Sequence, residues 1–152
     1  MCNCNCCKNV NKGKIFLSAV IFMVIAFVVD TVAAQFTMGY YMMEQYFSVW
    51  SKVMMPIAGP PPMSFFAWSL LFSFISGLVL ASLYEKVKQS LGQTFWQKVC
   101  CFTCTIVSLY VIFFMLPLYL LINLPIGLLV AWLISAVVVY FFSSIAFVKI
   151  ME

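Results

Sequence analysis

VCCFTCTIVSLYVIFFMLPLYLLINLPIGLLVAWLISAVVVYFFSSIAFV, residues 99–148, is a run of fifty residues without one Asp, Glu, Lys or Arg. In soluble domains about a quarter of residues are charged, so this stretch excludes a soluble fold. Pro117, Asn123, Pro125 and Gly127 interrupt it near its middle. Each arm matches the roughly 20 apolar residues that cross about 30 Å of hydrocarbon. A backbone in hydrocarbon must satisfy its own hydrogen bonds, which makes each arm a helix. The stretch therefore reads as a helical hairpin, 99–121 and 126–148, with its turn on the far side of a membrane.

The rest of the chain fits around that hairpin. Of 152 residues, 66% are hydrophobic and 8% charged, and the mean hydropathy is +1.12. Upstream of the hairpin, Tyr84 to Lys98 is polar. Gly92 suits a helix C-terminus, and Thr94-x-x-Gln97 reads as a capping box that opens the third span. A further span is expected over 64–83, entered from Gly59-Pro60-Pro61-Pro62, where prolines without N–H groups stop any preceding helix. Between 40 and 55, Tyr40, Met43, Phe47, Trp50 and Met54 recur at three and four, with Glu44, Gln45, Ser48, Ser51 and Lys52 opposite. That periodicity predicts an amphipathic helix lying in the headgroup region.

At the start, residues 1–14 form a polar tail, and 15–29 is an apolar run too short to span. Extension to about residue 37 supplies the length but takes Asp30 into the bilayer. A basic start, an apolar core and Val32-Ala33-Ala34 before Gln35 also fit a cleaved signal peptide. A retained first span is preferred, because Asp30 sits awkwardly between core and cut. The expected architecture is all-α: four transmembrane helices at about 15–37, 64–83, 99–121 and 126–148, plus the interfacial helix, in one domain over 15–152.

Charge sets the threading. Four spans put Lys8, Lys12, Lys14, Lys86, Lys88, Lys98 and Lys149 on one side and Lys52 alone on the other. Positive residues concentrate in cytoplasmic loops, so both termini are expected in the cytoplasm and the protein in the cell membrane. The lysines flank apolar spans and present no basic face to water, so no nucleic-acid partner is expected. The lipid bilayer is the first partner.

Small residues recur every four positions at Ser69, Ser73, Gly77 and Ala81 on the second span, and at Gly127, Ala131 and Ser135 on the fourth. Such stripes let helix backbones approach closely in lipid. They predict a contact between those two spans, a homo-oligomer, or a membrane-protein partner.

Three groups of residues bear chemistry. Asp30 is the one carboxylate inside a predicted span, about 22 Å along the helix from Ile15 at 1.5 Å per residue. Ser69 and Trp132 come out at comparable depths. The acid serves either as a proton- or cation-handling group, or as a packing hydrogen bond. Cys2, Cys4, Cys6 and Cys7 in the tail, with Cys101 and Cys104 on one helix face, offer soft-metal ligands. Their spacing matches no zinc module, and a reduced tail with small apolar helix cysteines explains them equally well. The chain has ten methionines, and those around 38–63, with the aromatics there, suit either a thioether surface or a lipid-facing one. The chain has no His, no nucleotide loop and no nucleophile paired with a base, so neither enzyme activity nor a cofactor is expected.

With Asp30 late in span one, Tyr40-Tyr41 to Trp50, the Tyr84 loop, Pro117 and Trp132, the layout resembles small four-span membrane proteins of bacteria and archaea that have no settled activity. The resemblance implies a fold and a location, and transfers no functional residue. On sequence grounds an accessory subunit associating through small-residue faces is preferred, because polar groups inside the spans are few. A small proton- or cation-coupled transporter using Asp30 is the alternative, and thiol-based metal handling a second one.

Reporter fusions test the threading. Fusions at Glu152 and near Gln89 should report the cytoplasm, and one near Lys52 the exterior; a C-terminal reporter active outside would overturn both the orientation and the span count.

Overall fold

A computed structural model describes residues 11–55 and 61–152. Helix α1 is Lys12–Tyr41, α2 Met63–Val87, α3 Phe95–Tyr110, α4 Leu116–Leu121 and α5 Ile126–Met151. A π-helical turn, Val111–Met115, joins α3 to α4, so four continuous helices are long and apolar enough to cross a membrane: Lys12–Tyr41, Met63–Ser90, Phe95–Leu121 and Ile126–Met151. The described residues are all-helical and hold four candidate spans, as the sequence reading expects. The tail cysteines Cys2, Cys4, Cys6 and Cys7 and the Gly59-Pro60 step lie outside the described residues.

Local chemistry explains the helix boundaries. The Asn11 side chain accepts from the backbone N–H groups of Gly13 and Lys14 at 3.1 and 3.3 Å, capping α1 three residues ahead of the expected start. At α3 the capping box forms as read: Gln97 N–H donates to Thr94 Oγ1 at 3.3 Å, and Gln97 Oε1 accepts from Thr94 N–H at 3.2 Å. Gly92, at φ 125°, makes the turn just before it. Pro117 does not end the third span. It lacks an N–H and crowds the preceding turn, and the helix absorbs it by widening to a π turn, in which Leu116 N–H donates to the Val111 carbonyl.

The expected amphipathic α-helix over 40–55 is replaced by something shorter. Helix α1 runs on to Tyr41, and Glu44–Val49 is a six-residue 3-10 helix. Tertiary contact overrides the periodicity here. The rings of Tyr41 and Trp50 stand 5.1 Å apart, whereas nine residues of α-helix would set them about 13 Å apart along the axis. The chain folds back so that Tyr40, Tyr41, Val49 and Trp50 pack with Met115 of the π turn, Leu124 of the loop after α4, and Leu128 and Leu129 at the start of α5.

Helix α1 lies between α2 and α5, and α3 packs on α5. The start of α1, the end of α2, the start of α3 and the end of α5 share one end of the bundle, which carries Lys12, Lys14, Lys86, Lys88, Lys98 and Lys149. There the packing is tightest. Tyr84 is fully buried and its ring meets Phe102 and Phe147 at 5.2 and 6.2 Å, while Phe147 also stacks with Phe22 at 6.5 Å. These four rings join all four spans. Around them, the Tyr84 hydroxyl donates to Glu152 Oε1 at 3.1 Å, Lys98 pairs with the same carboxylate, and Lys88 bonds Glu85 and the Met151 carbonyl, each at 3.0 Å. Deeper in, Thr103 donates to Ser144 Oγ at 2.9 Å, tying α3 to α5.

The closest backbone approach is between α1 and α2. A Cβ added at Gly77 would stand 2.9 Å from both the Cα and the carbonyl oxygen of Ala19. Neither atom can swing aside, so Gly77→Ala should lower the melting temperature in detergent, by the roughly 1 to 3 kcal/mol typical of overpacking. At Gly39, on the same bundle, an added Cβ meets nothing within 4 Å. Gly39→Ala should be neutral or stabilising by up to about 1 kcal/mol, since alanine is the better helix residue. Equal melting temperatures for the two variants would refute the close crossing.

Glu152 provides a pH signature. The hydrogen bond from Lys98 is the main reason its carboxyl is held below the ordinary value of 4.5. A depressed folded-state value means that the contribution is complete above about pH 4.5 and is lost as pH falls through the lowered value. The group is exposed, so no more than about 1 kcal/mol is involved. Lys98→Met should flatten the fall in melting temperature below pH 4.5 relative to wild type; an unchanged acid limb would remove the pair from the account of stability.

Candidate functional site

Away from the aromatic knot, α2 and α5 part company and a cavity of about 610 Å³ opens between them. Its walls are Phe22, Ala26 and Asp30 of α1, Trp68, Ser69, Ser73 and Ser76 of α2, Tyr110 of α3, and Trp132, Ser135 and Tyr140 of α5. A second cavity of about 440 Å³ continues along α1 past Thr37 to Tyr41 and reaches Met54 and Met55 of the folded-back loop. The two share Asp30, Phe65, Ser69, Ser73, Trp132 and Ser135. Asp30 therefore stands at their junction.

The local sequence makes room for it. Ala26 and Ala34 lie one turn to either side of Asp30, and neither fills the space beside the carboxylate. Ser69 and Ser73 repeat at i, i+4 on α2 and present hydroxyls from one face, while Trp132 and Ser135 present an indole N–H and a hydroxyl at i, i+3 on α5. Ser135 donates back to the Ala131 carbonyl at 3.0 Å, which leaves its oxygen able to accept. Trp132 Nε1 donates to the Tyr41 hydroxyl at 2.8 Å and so joins α5 to the end of α1. Thr37 donates to the Ala33 carbonyl at 3.0 Å. Asp30 itself is exposed to this space, and neither ion pair among the described residues includes it.

Of the residues singled out from the sequence, Asp30, Ser69 and Trp132 do come to one place, though Ser69 makes no hydrogen bond to the acid. Ser73 and Ser135 join them on the cavity wall. The lower part of the α2 stripe has a different role: Gly77 and Ala81 are buried, and Gly77 meets α1 rather than α5. Gly127 is exposed, next to the Tyr40 hydroxyl, and Ala131 is half-buried. Spans two and four thus face each other across the cavity, with their tight contacts made elsewhere. Cys100, Cys101 and Cys104 are free and exposed on α3, and among the described residues no three His, Cys, Asp or Glu side chains cluster as metal ligands.

Sequence reasoning overlooked Ser76, Trp68, Tyr110 and Tyr140. The tyrosines gave a usable signal, since each sits well inside an apolar run where its hydroxyl needs a partner or a polar space. The chain matches no protein-family model, no curated protein and no solved structure.

Proposed function

We propose that this multi-pass membrane protein binds a proton or another cation at Asp30 and carries it across the bilayer, as a small transporter rather than an enzyme. The observation that supports this reading is the place of Asp30, an acid with no ion-pair partner among the described residues, at the junction of two cavities walled by serine and tyrosine hydroxyls. An intramembrane carboxylate is costly and is held in place by function more often than by packing. The stripes that favoured an accessory subunit lose weight, because Gly77 is used within the chain against Ala19.

The lysine-bearing end faces the cytoplasm in this reading, with both termini and the 84–98 loop on that side, by the positive-inside bias. The loop over 42–55, with its aromatic and methionine side chains, rests at the opposite interface and covers the mouth of the second cavity.

Reconstituted protein tests the role of the acid. With a pH-sensitive dye inside proteoliposomes, wild-type protein should relax an imposed proton gradient faster than empty vesicles. Asp30→Asn, at equal protein level, should bring the rate to the empty-vesicle value, and Asp30→Glu should keep part of it. An Asn variant as fast as wild type would return Asp30 to a packing role.

A further inference from the structure

We propose that the cavity at Asp30 takes a monovalent organic cation carrying apolar groups, such as an aryl- or alkyl-substituted ammonium or phosphonium. This rests on reading Asp30 as a cation site and specifies which cation it suits. Three observations point to that class.

Size is the first. Cavities of about 610 and 440 Å³ meet at the carboxylate, and pockets of roughly 300 to 1,000 Å³ are those that hold drug-sized molecules. A bare metal ion needs several oxygen ligands converging at 2.0 to 2.6 Å. Here a single carboxylate faces a wide space, and the hydroxyls are spread over its walls. An ion that kept its water shell would use only a fraction of the volume.

Lining is the second. Phe65, Trp68, Phe72, Tyr110, Trp132 and Tyr140 put aromatic rings around the acid. Ring faces attract a cation, most strongly where water is scarce, and they also bury its apolar substituents. Such a wall gives an inorganic ion little that water does not, and gives an aryl-substituted cation both of the contacts it needs.

Charge is the third. Neither cavity wall includes a lysine, and Asp30 is its one ionisable acid, so the formal charge to be balanced is that of one carboxylate. A monovalent cation neutralises it. A divalent cation would leave an uncompensated positive charge among rings, and a zwitterionic lipid headgroup would bring a phosphate with no basic partner.

Binding of tetraphenylphosphonium to the full chain in detergent, followed by equilibrium dialysis, tests the inference, with triphenylphosphine oxide as the neutral counterpart and rubidium and sodium as inorganic competitors. Wild-type protein should bind the phosphonium saturably at one site per chain and ignore the neutral compound, and millimolar rubidium or sodium should not displace it. Asp30→Asn should weaken binding by about tenfold or more, from loss of one charge pair in a partly desolvated site, and Asp30→Glu should restore most of it. Trp68→Ala removes an exposed wall ring and should weaken binding about fivefold. Because Trp68 is 51% exposed, that variant keeps the fold and decides the matter should the Asn variant misfold; unchanged affinity in it would overturn the proposal. Equal binding of the neutral compound, or phosphonium binding indifferent to Asp30, would also overturn it, leaving only a greasy pocket. Absent phosphonium binding with Asp30-dependent proton or metal-ion flux intact would discard the organic class and keep the cation site. Absence of both would discard the two together.

Discussion

Tyr84 fixes the bundle. Its ring is fully buried where α2, α3 and α5 meet, and its hydroxyl reaches Glu152 beyond the end of α5. Helices in lipid gain little from apolar contact alone, because the acyl chains offer the same contact, so close packing and interhelical hydrogen bonds decide which faces meet. The Tyr84 cluster supplies both. Phe22, Phe102 and Phe147 interlock around it, Thr103 bonds Ser144 just below, and Lys98 and Lys88 tie down the end of α5 from two neighbouring helices. Every such contact lies toward the lysine-bearing end.

That concentration lets the other half open. Beyond Gly77, which locks α1 against α2, Trp68 and Phe72 stack on each other at 6.1 Å and line the cavity. The far end is closed in a different manner. Trp132 bonds Tyr41, Tyr41 packs on Trp50, and the loop that carries Trp50 covers the start of α5. A bundle tied at both ends and loose between them leaves an open cavity along its middle, and Asp30 lines that cavity.

How much of this the sequence disclosed follows from which forces act locally. The spans were legible because the bilayer allows only helices of a minimum length, and the Thr94 capping box because it involves four consecutive residues. Span ends were less so. Nothing at an interface obliges a helix to stop, and α1 runs from Lys12 to Tyr41, past both expected limits. The periodicity over 40–55 was real, yet its apolar face is used by folding back on Leu124 and Leu128 rather than by lying on lipid as one helix. The Ser69-to-Ala81 stripe signalled that a backbone could come close. It could not say which one, since a stripe describes one surface and a contact needs two. For the cavity, equal depth brought Asp30, Ser69 and Trp132 together correctly, whereas Tyr110 and Tyr140 required knowing how α3 and α5 are rotated.

The remaining question is why an acid is tolerated at all. A carboxylate kept for packing should be enclosed and hydrogen-bonded, as Thr103 and Ser144 are, because an unsatisfied polar group in a dry interior costs more than the packing returns. Asp30 has the opposite surroundings. It is exposed to the cavity, it lacks an ion-pair partner among the described residues, and the hydroxyls of Ser69, Ser73 and Ser135 stand on the same walls without enclosing it. In the proposed reading, a cation in that space would neutralise the charge of the acid. The serines that the sequence stripes assigned to helix association line the cavity instead. An asparagine there would pack as well and would leave the cavity as large; what it would remove is the charge, the one property of Asp30 that its surroundings do not already balance.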